Sequence, residues 1–300
     1  MSIPDPGITL VLGGGGSRGI AHLGVLQKLE EAQIPIHRIV GLSMGGLIGA
    51  MYAYDPHARQ CFHQARKYLL SDRFLKHQQT LFGAIGANPP ESNSEGFFSW
   101  YQQLVKYIKN NHLLYRFVSS PSILPGVIIK DVVNTLIPSE DLSETQIPLS
   151  LATTDLVSGH QMLLERGDLQ TAVLATTALP GIFPPIKMEQ MLLVDSGHYH
   201  TLPNDLALSY GNRPVVSVEV SGEVSAKQDY HSALDVLTRM DEIGENYWRK
   251  QTRSCADLVI RPNVAHALWY DFSQFDRLVQ LGYEVTEKRL QQIRDLLNSC

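Results

Sequence analysis

Residues 8–19 read ITLVLGGGGSRG, and residues 34–45 read IPIHRIVGLSMG. The run Ile8–Leu12 is short, apolar and β-branched at its start, which predicts a buried strand delivered directly into four glycines. After Gly19, the residues Ile20, Leu23, Leu26 and Leu29 fall at helical spacing. Ile34 to Val40 predicts a second strand that ends in Gly41-Leu42-Ser43-Met44-Gly45, and Leu47, Ile48, Met51 and Tyr52 open a second helix. The order is therefore strand, glycine turn, helix, strand, serine turn, helix. Such a unit makes two parallel neighbouring strands through a right-handed crossover. Both turns then sit at carboxyl ends of strands on one edge of the sheet, where open α/β sheets bind ligands.

Each turn has its own chemistry. Gly-x-Ser-x-Gly between a strand and a helix is a nucleophile elbow: a strained turn that lifts the Ser43 oxygen clear of the backbone, with Gly41 and Gly45 avoiding collision beside it. Consecutive glycines before a helix can aim their N–H groups at one point and stabilise the oxyanion of a tetrahedral intermediate. Helix N-termini add partial positive charge to both turns.

Downstream, Val127–Leu136 predicts a helix, Leu149–Asp155 a strand, and Asp168–Thr177 a helix capped by Asp168. Ala178–Pro185 reads as a rigid loop, and Gln190–Val194 as a strand ending at Asp195-Ser196-Gly197. Val215–Val220 and Leu258–Ile260 read as strands, and Ser232–Arg253 and Phe272–Leu297 as helices. No linker interrupts this rhythm, so one domain over 7–300 is expected, a three-layer α/β/α fold with a mainly parallel central sheet. Asp195 is the candidate base. It ends an apolar strand on the predicted catalytic edge, and a partly desolvated carboxylate there can take the serine proton.

Residues 57–118 stand apart, with eight Lys/Arg against three acids, whereas the remainder carries 17 basic and 27 acidic residues. Gly83–Gly96 reads as a loop. Phe97, Tyr101, Leu104, Val105 and Ile108 then share one helical face, opposite Gln102, Lys106 and Lys109. The insertion, about 57–125, fits a surface helix packed on the core or a lid that touches anionic lipid.

The 300 residues are 44% hydrophobic and 18% charged, with a net charge of −5, which argues against nucleic-acid binding. Cys61, Cys255 and Cys300 have no metal or redox spacing. The amino terminus carries neither signal-peptide features nor a transmembrane run, so the expected location is cytoplasmic or peripheral to a membrane. His57, His63, His198 and His200 lack a third ligand at a metal-binding spacing, so no metal is expected.

Taken together, these segments resemble the patatin-like phospholipases, especially the compact bacterial type. The resemblance rests on Gly14–Gly19, Gly41–Gly45, Asp195–Gly197, the Ala178–Pro185 loop, Ala256–Pro262 and Phe272–Tyr283, and it is weakest over 57–125. It implies a serine lipid acyl hydrolase acting on phospholipids or lysophospholipids through a Ser43–Asp195 dyad, with no catalytic histidine and no cofactor. By the same resemblance Gly14, Gly15 and Gly16 form the oxyanion hole, and Arg18 braces their loop or meets the lipid head group. A lipid substrate follows as partner, with transient membrane contact allowed and oligomeric state open.

One position departs from the family: its third motif is usually Asp-Gly-Gly or Asp-Gly-Ala, and here Ser196 is central. If that position requires positive φ, a serine strains the turn by roughly 1 kcal/mol or more. The alternative is then a catalytically weak or inactive lipid-binding or scaffolding protein of the same fold. Two further readings fit less well. Gly14-x-Gly16-x-x-Gly19 matches a dinucleotide fingerprint, but no acid ends the second strand. An α/β-hydrolase triad would need a late histidine and an elbow after several strands.

Overall fold

The computed structural model describes residues 7–82, 119–211, 213–222, 224, 226, 228–231 and 233–299. An eight-stranded sheet runs β5-β6-β3-β2-β1-β7-β8, with β4 paired to β3 off that path. The strands are β1 (Ile8–Leu12), β2 (Ile36–Gly41), β3 (Leu149–Asp155), β4 (Gln161–Leu164), β5 (Ile186–Met188), β6 (Met191–Val194), β7 (Val215–Val218) and β8 (Leu258–Ile260). β3, β2, β1, β7 and β8 are mutually parallel. β4 and β6 run antiparallel to β3, and β5 to β6.

β1 shows why the sequence takes this form. All five of its residues are buried. Ile8, Leu10 and Leu12 join the large core cluster, while Val11 joins a smaller one with Val40, Leu202, Ala207 and Val215. A strand covered on both faces needs a continuous apolar run with alternate residues pointing to opposite layers. One helical layer holds α1 (Ala21–Glu31), α2 (Met44–Tyr54), α3 (Ala58–Leu69), α4 (Asp72–Phe82), α5 (Val127–Leu136) and α6 (Leu169–Thr177). On the other face lie α7 (Asn204–Ala207) and α8 (Ala233–Arg253). α9 (Phe275–Glu287) returns to the first layer and packs along α1, followed by α10 (Leu290–Asn298). The result is a three-layer α/β/α architecture with a mainly parallel sheet.

Most predicted elements appear within a residue or two. α6 is capped as expected, Asp168 accepting from Thr171 N–H at 2.7 Å. β2 starts later than predicted because Ile34 N–H still closes the end of α1 on Leu29 at 2.9 Å, after Gln33 adopts φ 54°. The single helix expected over 272–297 is two. The chain turns at Lys288-Arg289, which folds α10 back so that Ile293 is sealed in the core. The short antiparallel strands β4 and β5 carry too little pattern to be anticipated. The predicted loop and amphipathic helix over 83–108 lie outside the described residues.

Candidate active site

The site begins with the end of β2. Ser43 sits at φ 54° and ψ −126°, one of three non-glycine residues with positive φ among those described. That conformation costs a non-glycine residue roughly 1–3 kcal/mol and persists because its surroundings impose it. Ser43 N–H donates to Thr176 Oγ1 at 3.0 Å, and the Thr176 hydroxyl donates to Ala152 C=O at 2.6 Å. The elbow is thereby tied to α6 and β3. Gly45 must be glycine, because a Cβ there would collide with the Leu12 carbonyl. The first turn of α2 can therefore press against the end of β1, and its N-terminus lies beneath Ser43.

The glycine loop is anchored from behind. His22, fully buried in α1, donates from Nε2 to Gly13 C=O at 2.8 Å. Burial drives its pKa down to about 4, so the ring is neutral. Ser17 N–H donates to Trp269 C=O at 2.6 Å and Ser17 Oγ to Leu268 C=O at 2.8 Å. Arg18, buried, donates from Nε to Ala267 C=O at 2.7 Å. Its guanidinium thus ties the loop to the 265–269 segment while also lining the cavity beside Ser43.

The backbone N–H groups of the expected donors differ in their partners. Gly14 N–H donates to Thr201 C=O at 2.9 Å. Gly15 and Gly16 N–H groups have no acceptor of this kind among the described residues. Gly16 has φ 59°, and a Cβ there would strike the Trp269 carbonyl, so no other residue fits.

Asp195 follows β6 and is 1% exposed. Its Oδ1 accepts from Gly197 N–H at 2.7 Å. Oδ2 is buried and lacks a hydrogen bond of full geometry, with the Ser43 hydroxyl close enough to favour its ionised form. Desolvation outweighs both aids and lifts the carboxyl to about 6. Asp155, at the end of β3, supplies the contrast. Its carboxylate accepts from Val157 N–H, Ser158 N–H, Ser158 Oγ and Leu192 N–H at 2.7–3.1 Å, which holds it down at about 2. Asp155 is a saturated structural carboxylate. Asp195, in contrast, is buried with its pKa raised to about 6.

Ser196 does not require positive φ. It opens a short 3-10 turn, Ser196–His198, and its buried hydroxyl pairs with Thr154 Oγ1 at 2.9 Å. The strain expected from serine at this position does not arise.

Ser43 stands between two cavities. One, of about 60 Å³, brings Ser43 and Asp195 together with Gly14, Gly15, Gly16 and Arg18, and Glu242 and Glu245 also line it. The other, of about 100 Å³, is apolar and lined by Met44, Leu47, Phe74, Val132, Phe183 and Phe272 among others. Thr176, His22 and the Trp269 carbonyl were not among the predicted site residues. They act through tertiary contacts that no local pattern encodes.

No helix among the described residues is long and apolar enough to cross a membrane. Across curated proteins the chain is 24% identical over 304 residues to patatin-like phospholipase domain-containing protein 6 of Mus musculus, covering 92% of this chain and 20% of that protein. It is 25% identical over 324 residues to Lysophospholipase NTE1 of Coccidioides immitis, covering 96% of this chain and 18% of that protein. It therefore spans about a fifth of the length of these relatives. VipD from Legionella pneumophila aligns over 98% of this chain and 67% of its own, at 14% identity and a TM-score of 0.49. The patatin-like phospholipase family matches residues 10–208, about two thirds of the sequence and the whole stretch from β1 through Asp195 to α7. The chain belongs to the patatin-like phospholipase family.

Proposed function

We propose that this chain hydrolyses fatty-acyl esters of phospholipids or lysophospholipids, with Ser43 as nucleophile and Asp195 as its base. The observation that carries the reading is the pairing of a serine on a strained turn with a buried, otherwise under-bonded carboxylate in one cavity.

Ser43 Oγ attacks the ester carbonyl while its proton passes to Asp195 Oδ2. The carbonyl oxygen becomes an oxyanion held by the N–H groups of Gly15 and Gly16. Collapse breaks the bond to the alcohol oxygen, which takes the proton back from Asp195 and leaves as the deacylated lipid. Water then attacks the acyl-serine while Asp195 accepts its proton, and collapse breaks the bond to Ser43 Oγ, which takes that proton back from Asp195 as the fatty acid departs. The apolar cavity suits the acyl chain, and the polar one suits the glycerol and head group. His22 takes no proton in this scheme, because its Nε2 faces Gly13 and its ring is sealed in the core.

The test is fatty-acid release from vesicles of phosphatidylcholine and lysophosphatidylcholine, comparing wild type with Ser43→Ala. Release that disappears in the folded variant supports the reading. Equal release by both overturns Ser43 as nucleophile. No release by wild type on either lipid, or on a soluble short-chain ester, leaves the lipid-binding or scaffolding alternative.

A further inference from the structure

α8 has its polarity reversed. Its charged side faces the protein: Arg249 Nη1 donates to Glu219 Oε1 at 2.7 Å, and Arg249 Nε pairs with Glu245 at 3.1 Å. Arg249 and Glu219 are almost fully sealed, and Glu242 and Glu245 stand in the wall of the Ser43–Asp195 cavity. The opposite side holds Val236, Leu237, Met240, Ile243, Tyr247 and Trp248, all between 42% and 64% exposed. Val236, Met240, Ile243 and Tyr247 are spaced at four, three and four residues, so they form one continuous stripe, flanked by Leu237 and Trp248. Surface helices in water bury the apolar stripe and expose the charged one. A contiguous exposed patch of this composition marks a docking surface.

We infer that the exposed face of α8 docks the protein on a zwitterionic lipid surface. This rests on the lipid-ester reading of the site, since the helix carrying the patch is also a wall of the catalytic cavity. Two features select lipid as the occupant. Aliphatic side chains are combined with Tyr247 and Trp248, whose rings have an apolar body and a polar edge suited to the headgroup boundary. The charge at the border is balanced: Asp241 and Lys250 are exposed at its rim, whereas Arg239 is turned onto Glu242 at 2.7 Å. A balanced rim matches a neutral headgroup layer and supplies no basic cluster for an anionic one. Attachment then comes from apolar insertion, which salt does not screen.

The experiment uses the full chain carrying Ser43→Ala, to prevent hydrolysis, and its co-sedimentation with phosphatidylcholine vesicles at about 0.15 M and about 0.5 M salt. The expected result is binding that is equal at both salt concentrations. The pair Leu237→Asp and Met240→Asp should lower the partition coefficient by roughly tenfold or more. Tyr247→Asp supplies an independent variant should the pair fail to fold. Addition of vesicles should also blue-shift the fluorescence of a protein containing Trp248 and not that of Trp248→Phe.

Absence of binding to neutral vesicles, or equal partition of the folded Asp variants, overturns the inference. So does a concentration-dependent dimer that the same substitutions dissolve, because the patch would then be an interface between copies. Hydrolysis of a soluble short-chain ester, measured with Ser43 intact, separates this proposal from the catalytic one. A protein that cleaves the ester and ignores vesicles loses the docking surface and keeps the hydrolase reading; one that binds vesicles through α8 and cleaves nothing does the reverse.

Discussion

Replacing Asp195 with asparagine should abolish activity and stabilise the fold at neutral pH. The carboxyl moves from the usual 3.8 to about 6 on folding, chiefly because burial disfavours its charge. A tenfold change in a proton-binding constant is worth about 1.36 kcal/mol, so at neutral pH the ionised group costs the native state roughly 3 kcal/mol. The sign follows from proton release. Below pH 4 the carboxyl is protonated in both states and costs nothing. As pH rises through about 4 the unfolded chain ionises first, and stability falls until the folded group ionises near 6. The asparagine of Asp195→Asn carries no charge to desolvate, and its side-chain carbonyl can still accept from Gly197 N–H. For a chain of 300 residues, 3 kcal/mol corresponds to a Tm increase of about 5 °C. Calorimetry of both proteins between pH 4 and 8 should show the two Tm values converging at the acid end, separating between about pH 4 and 6, and staying a constant distance apart above about pH 6. Activity should move the other way, with kcat/KM of the wild type rising toward a plateau above about pH 6 and Asp195→Asn reduced by a factor on the order of 10³. A variant less stable than wild type at pH 7.5, or a Tm difference independent of pH, would refute the assignment of Asp195 as a desolvated base.

Other expectations follow from the same contacts. Gly45→Ala drives a Cβ into the Leu12 carbonyl and should cost on the order of 3 kcal/mol, read as a lowered urea midpoint with loss of activity. Thr176→Val removes the acceptor of Ser43 N–H and a donor to Ala152 C=O, and should cost about 1–3 kcal/mol and lower kcat more than it raises KM. His22 folds with its pKa near 4, so wild type should lose roughly 3 kcal/mol as pH falls from about 6.5 to 4, when the unfolded ring takes its proton first. His22→Gln, which retains a donor toward Gly13, should abolish that acid sensitivity in chemical denaturation at pH 4.5.

What the sequence made legible was whatever local sterics force. β1 and β3 are sealed on both faces, β1 as a run that is apolar but for Thr9 and β3 as a run mixing apolar residues with small hydroxyls, and both limits were readable from the sequence. Ser43 was recognisable because a strained elbow tolerates so few neighbours. What stayed hidden depended on contacts made far away along the chain. The Gly14 N–H donates to Thr201 C=O, and Arg18 donates to a segment some 250 positions later. The break between α9 and α10 exists to bury Ile293, a reason that no run of helical periodicity contains. α8 gives the sharpest case. Its periodicity located the helix to within a residue, but periodicity records that two sides differ and is silent about which side turns inward.

That silence has a physical source in the buried network. Glu219 lies on the loop after β7 and accepts from Arg249 and Arg253, with Arg261 at 3.5 Å. A sealed carboxylate cannot be left without partners, since removing one member of a buried ion pair costs several kcal/mol. α8 therefore turns its Arg249–Arg253 side inward, and its apolar side is left facing out as a consequence. The same rotation sets Glu242 and Glu245 in the wall of the cavity that also holds Ser43. Glu219→Gln should test this coupling: with the charge gone, Arg249 loses its reason to stay buried, and α8 should loosen. Hydrogen exchange along Ala233–Arg253 should then rise, and short-chain ester hydrolysis should fall even though Ser43, Asp195 and the glycine loop are untouched. Unchanged exchange in α8 would mean that its packing, and not the ion pair, fixes which side faces in.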